Sequence, residues 1–239
     1  MLNQILDRPT VPADAKPMAK EFISNVFLYM FGALLITGVT SWWFADSGLT
    51  LNLYNLETGG LNLLGYLVFF GPVGLVFLMQ LGMNRLSYQV LAFLFIAYSV
   101  MLGMSLSAIF LVYELGTIAG AFFSTSAAFG VMAVLGYTTK TDLSKFGSIL
   151  YMGFIGIFVA AIINWFIGSS MLDYIISMLG VVVFTGLTAV EMQRLKWIAY
   201  DPSLQGLTRK KLALLGGLRL YILFINLFIS LLSLFGGRD

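Results

Sequence analysis

Residues 211–235 read KLALLGGLRLYILFINLFISLLSLF, an apolar run interrupted by Arg219, Asn226, Ser230 and Ser233. As a helix it is about 37 Å long, enough to cross about 30 Å of hydrocarbon. Arg219, Leu223, Asn226, Ser230 and Ser233 fall at i, i+4, i+7, i+11 and i+14, which is one face of a 3.6-residue helix. Polar groups are costly against lipid, so this stripe predicts a helix enclosed by other helices. Two roles stay open for it: lining a narrow hydrated path, or hydrogen bonding to neighbouring helices.

The preceding run, 172–194, carries the other charge that lies clearly inside an apolar segment, Glu191 in TGLTAVEMQRLK. Thr185, Thr188 and Glu191 recur at steps of three and form a shorter polar face. A lone charge at such depth costs about 2.5–3.5 kcal/mol on insertion scales, so Glu191 and Arg219 each require a partner, water or the interface. Glu191 is roughly 7 Å of helix before Lys196, and Arg219 roughly 12 Å after Lys211. In antiparallel spans, side chains that lean toward their own N-termini bring the two toward each other. The alternative is that each snorkels separately.

Working outward, apolar runs at 22–45, 61–81, 88–112, 117–137, 147–168, 172–194 and 211–235 are each long enough to span a bilayer. The expected fold class is an all-α integral membrane protein with seven transmembrane helices over 22–236, preceded by a cytoplasmic tail, 1–21, that holds three prolines and six charges. The alternating pattern of a membrane barrel is absent. Composition agrees: 59% of the 239 residues are apolar and 10% charged, against about 45–50% and about 25% in soluble domains.

Of the 13 Lys and Arg, eleven fall in the tail and in the second, fourth and sixth connections: Arg8, Lys16, Lys20, Arg85, Lys140, Lys145, Arg194, Lys196, Arg209, Lys210 and Lys211. Cationic loops resist translocation, so the N-terminus is expected in the cytoplasm and the C-terminus outside, in a plasma or inner membrane. With no Cys and no His, thiol catalysis, Ser-His machinery and imidazole or thiolate metal sites are excluded. The last span has no Lys deep enough for a retinal Schiff base, and no phosphate-binding glycine motif is present. The net charge of +2 gives no nucleic-acid surface. The expectation is a protein that is not an enzyme and uses no cofactor. Its partners are the lipid bilayer and, as alternatives, calcium or another cation, or a second membrane protein.

Six stretches carry a family likeness. GLVFLMQLGMNRLS (74–87), LGMSLSAIFLVY (102–113), GYTTKTDLSKFGS (136–148), NWFIGSS (164–170), GVVVFTGLTAVEMQ (180–193) and LYILFINLF (220–228) together resemble the bacterial branch of the transmembrane Bax inhibitor motif family. The resemblance implies a last helix wrapped by the other six, and a calcium leak path controlled by pH. Eukaryotic members restrain cell death, and some bacterial relatives are linked to a membrane-bound protease. The family pattern also places one Asp in a motif like TAYDTQ and a second in a motif like LYLDFINLF, and their shared proton is thought to set the gate. Here these positions are Glu191 and Leu223, and Arg219, one turn earlier on the same face, is not part of the usual pattern. The implied gate and ion-path residues are therefore Glu191, Arg219, Leu223, Asn226 and Ser230, with an ion pair replacing the carboxylate pair and Glu191 the one intramembrane carboxylate available to a metal. The alternatives are a non-conducting interaction or regulatory protein, such as a modulator of a membrane protease, and a small-solute transporter.

Overall fold

The computed structural model describes residues 15–55 and 59–237. They form α1 (Ala15–Asp46), a 3-10 turn (Leu49–Leu53), α2 (Leu63–Gly82), α3 (Tyr88–Leu106), α4 (Ile109–Val112), α5 (Leu115–Thr138), α6 (Ser144–Ile167), α7 (Ser170–Tyr200) and α8 (Gly206–Phe235). Among the described residues there are no strands beyond one isolated bridge, Tyr54 to Leu61. Seven helices are long and apolar enough to cross a membrane, with α3 and α4 together making the third, Tyr88–Val112.

Local chemistry sets the helix ends. Asn62 caps α2 by accepting from the Gly65 N–H at 2.9 Å, and Ser87 and Ser169 cap α3 and α7 in the same way at 3.3 Å. α6 stops where Gly168 turns left-handed at φ 68°, a conformation that suits a residue without Cβ. α2 runs through Pro72 without a break. The third span, expected as one helix over 88–112, is interrupted instead after Leu106. There the Ser107 hydroxyl donates to the Met104 carbonyl at 2.6 Å and accepts from Thr50 of the 3-10 turn at 2.8 Å, which fixes a joint between α3 and α4. α1 starts at Ala15, so it takes in residues 15–21 of the expected tail, and the rest of that tail lies outside the described residues.

The helices are arranged in two tiers. α8 packs against α1, α3, α5 and α7, while α2 leans on α3 and α6 leans on α7. Half of the spanning window is buried in α7 and in α8, against 6% in α6, which separates the inner helices from the shield. Tyr221 anchors the centre. It is fully buried, Phe95 and Tyr98 stand edge-on to it at 6.0 and 5.6 Å, and its hydroxyl meets that of Thr37 at 2.5 Å. Thr37 already donates to the Ser99 carbonyl at 2.9 Å, so the Tyr221 hydroxyl is the donor between them. One end of the bundle gathers the start of α1 and the α2–α3, α5–α6 and α7–α8 connections, with most of the Lys and Arg. It is called the cationic end below.

Two glycines of α5 give a paired test of this packing. A Cβ on Gly136 would run into the backbone of Ala189 on α7, whereas one on Gly130 would meet open space. Gly136→Ala should lower the melting temperature in detergent by an amount equivalent to about 1–3 kcal/mol, and Gly130→Ala should leave it unchanged or slightly raised. Equal effects would show that α5 and α7 are not in close backbone contact.

Candidate functional site: a buried ion pair and a polar cavity on α7 and α8

Glu191 lies on the inner face of α7 with 1% of its surface exposed. Its Oε1 is 3.4 Å from Nη1 of Arg219 on α8, and its Oε2 is 3.7 Å from Nη1 of Arg194, one turn further along α7. Arg219 also donates from Nη2 to Oε1 of Gln80 on α2, at 3.3 Å. One guanidinium therefore ties the inner pair of helices to an outer one. The two sequence candidates are together, and their separation exceeds the roughly 2.7–2.9 Å of a tight charge-assisted bond. The groups differ in burial: the carboxylate is enclosed, while 27% of the Arg219 side chain reaches the surface. Tyr151 of α6 stands within electrostatic reach of Glu191, Arg194 and Arg219.

The rest of the α8 stripe serves another place. Asn226 donates from Nδ2 to the Ile222 carbonyl, and Ser230 donates to the Asn226 carbonyl, both at 2.8 Å and both within α8. These bonds do not join helices. They leave the side-chain acceptors free toward a cavity of about 420 Å³ in the half of the bundle away from the cationic end, lined also by Asp173 and Ser177 of α7 and by Ser233. Ser233 does bridge helices, donating to Asp173 at 3.4 Å. Leu223 lies on the same face between Arg219 and Asn226, half-buried against the core. On α7, Thr188 donates to the Phe184 carbonyl at 2.8 Å, and the buried Thr185 hydroxyl has no partner. The stripe is thus divided into an ion pair near one end and a cavity that holds the Asp173 carboxylate near the other, with Leu223 between them. Among the described residues no three acidic, His or Cys side chains group to hold a metal.

Two polar residues of importance carry no sequence signal of their role. Gln193 donates from Nε2 to the Thr141 carbonyl at 2.7 Å and accepts from the Leu143 N–H at 2.8 Å, fastening the α5–α6 connection beside Glu191. Arg209 gives its donors to carbonyls of Met18 (2.8 Å), Ala199 (2.8 Å) and Leu204 (3.3 Å) and lies over the Phe22 ring. It joins the starts of α1 and α8 to the end of α7. Their partners are backbone atoms, those of Gln193 and the Met18 carbonyl far away in sequence, which no motif records. In the connections, hydrogen bonds from Ser144 and Ser203 hold the carboxyls of Asp142 and Asp201 below the usual carboxylate range, so both exposed groups are ionised at neutral pH.

A family model described as inhibitor of apoptosis-promoting Bax1 matches residues 19–239. The inner membrane protein YbhL of Escherichia coli strain K12 is 38% identical over 218 residues, covering 91% of this chain and 92% of its own. The protein RP147 of Rickettsia prowazekii is 36% identical over 222 residues, 92% of this chain and 90% of its own. A protein of Caulobacter vibrioides is 35% identical over 241 residues, 96% and 95% of the two chains.

The unequal burial of the ion pair makes the two single substitutions unequal. Arg219→Gln leaves an enclosed carboxylate with only the longer contact to Arg194 and should cost several kcal/mol, of the order of 3. Glu191→Gln leaves a guanidinium that still reaches Gln80 and the surface, and should cost less. The double variant should recover part of the larger loss, and strictly additive melting shifts would show that the two groups do not interact.

Proposed function

Because this chain belongs to the Bax inhibitor family, we propose that it passes cations, calcium foremost, along the interface of α7 and α8, in a state held shut by the Glu191–Arg219 pair, and that it is not an enzyme. The observation that carries this reading is the polar cavity of about 420 Å³. Most of its walls are apolar, among them Phe154, Ile157 and Phe158 of α6, but it holds a carboxylate, Asp173, with hydroxyl and amide groups, and it ends at Asn226, two turns along α8 from the ion pair. Oxygen donors in a space of this size suit a hard cation that keeps some of its water. Beyond the cavity a cation meets the apolar Leu223 and then the positive Arg219, two barriers of different kinds. Opening requires the Arg219 guanidinium to let go of Glu191 while it keeps its bond to Gln80 on the exposed side.

By resemblance, related proteins share a proton between two carboxylates at this level. Here the second position is Leu223, and Arg219 approaches Glu191 instead. Two carboxylates in contact hold a proton into the neutral range, whereas a carboxylate facing guanidinium groups has no such sharing. The groups facing Glu191 are Arg219, Arg194 and, from α6, Tyr151, with Gln80 behind Arg219, and the chain has no His. The competing reading, a non-conducting protein that modulates a membrane partner such as a protease, is favoured by one fact: the cavity does not reach the ion pair.

Flux into liposomes containing the purified protein, with calcium and potassium compared from pH 6 to pH 8, tests the proposal. We expect calcium flux that varies little across this window, rises in Arg219→Gln and falls when Asn226 and Ser230 are replaced by Leu. Leu223→Asp with Arg219→Thr should introduce a pH dependence. Absence of flux under every condition, with the protein folded, would leave the non-conducting reading.

The proposed placement, an inner membrane with the cationic end in the cytoplasm, has its own test. Cysteines at the exposed positions Ser47 and Ser170 should react with an impermeant thiol reagent added to intact cells, and one at Ser144 should not. Reversed labelling would invert the protein.

A further inference from the structure

α1 and α5 both pack on α8 but make next to no contact with each other. The seam between them is open to the side and holds two cavities, of about 410 and 310 Å³, that share Phe224 of α8 as their floor. Phe122 and Phe129 of α5 meet that ring edge-on at 5.7 and 5.5 Å. The walls are predominantly apolar, interrupted by the hydroxyls of Thr37, Ser41, Ser126, Tyr137 and Thr138, and a Cβ at Gly130 would meet open space. An open-sided, largely apolar slot of this volume fits a flexible hydrocarbon chain.

The seam is not apolar at its mouth. Lys20 continues the line of Ile23, Phe27 and Met30 on α1, at steps of three and four, toward the cationic end. On α7, Lys196 follows one turn after Met192, which lines the slot, and its Nζ lies 5.5 Å from the ring of Tyr137, another lining residue. Neither lysine belongs to an ion pair among the described residues. Glu21, the acidic residue nearest in sequence to Lys20, instead lines a separate pocket between α1 and α8 with Arg209 and Lys210. A largely apolar slot flanked toward the cationic end by two lysines without a carboxylate partner has the chemistry of one molecule class.

We propose that the α1–α5 seam binds one anionic glycerophospholipid from the leaflet at the cationic end, with an acyl chain along Phe224 and the phosphate at Lys20 and Lys196. The site is separate from the ion pair and holds whether or not the protein conducts. Bound there, the lipid covers the open seam between α1 and α5.

Native mass spectrometry of the full-length protein, delipidated and then offered phosphatidylglycerol or phosphatidylcholine of the same chain length, tests this. We expect one retained phosphatidylglycerol per chain and weaker retention of phosphatidylcholine. Lys20→Gln and Lys196→Gln should each reduce phosphatidylglycerol retention about fivefold, and together about 25-fold, with phosphatidylcholine unchanged. Lys210→Gln, on the other side of α1, should have no effect. Gly130→Leu, which fills the slot where there is room, should reduce both lipids while the melting temperature is kept. Equal retention of the two lipids, an effect of Lys210→Gln as large as those of the other lysines, or unchanged binding in Gly130→Leu would each overturn the assignment. So would a dimer lost in Gly130→Leu while lipid binding stays, because the seam would then belong to a second copy.

Discussion

A carboxylate with 1% of its surface exposed, in a helix that crosses hydrocarbon, is the constraint to which the rest of the bundle conforms. Ionised and alone there, Glu191 would cost several kcal/mol, so its helix needs a neighbour that carries a cation at the same depth. Arg219 meets that need only if α8 is antiparallel to α7 and in one register. α7 and α8 are then the inner pair: the stripe of α8 faces Gln80 of α2, α7 and a cavity walled by α4, α6 and α7, while α1, α3 and α5 cover its apolar sides. The same medium explains how hydroxyls are treated elsewhere. Ser99, Thr125, Thr188 and Ser230 each donate to the carbonyl four residues back in their own helix, which satisfies the donor without help from a neighbour.

How much of this was readable beforehand depends on whether a contact leaves a period in the sequence. Seven helices, an enclosed last span and the meeting of Glu191 with Arg219 follow from run length, a 3.6-residue stripe and the lean of side chains in antiparallel helices. The division of that stripe does not follow. Arg219 and Ser233 look equivalent on a helical wheel, yet one faces a charge and the other a cavity, because different neighbours cover the two halves of α8. Gln80, Gln193 and Arg209 were silent for a related reason. Each pairs with a group brought near only by the finished fold, and in the case of Gln193 and Arg209 that group is main chain. The break after Leu106 was hidden as well, since its cause is Thr50 on another segment.

The cationic end is more than a topogenic signal. Lys211 donates to the Met83 carbonyl at 3.3 Å at the close of α2, Arg209 collects three carbonyls, and Gln193 holds the α5–α6 connection. At Met83 and Ala199 these long side chains supply donors to carbonyls at helix C-termini. The loop nearest Glu191 is thereby fixed to the same helix that carries it, so movement of the ion pair and movement of that loop are mechanically joined.

The position of α8 at the centre also bears on how the protein is made. A ribosome delivers α1 first and α8 last, so the piece that all the inner helices close upon is the final one to enter the bilayer. Until it does, six helices surround an unfilled space, Glu191 has no cation from another helix, and the Met18 carbonyl awaits an arginine 191 residues downstream. Assembly resembles a vault raised before its keystone. A chain stopped after α7 would already sit in the membrane with an exposed charge inside, a state that membrane proteases and insertases are well placed to detect.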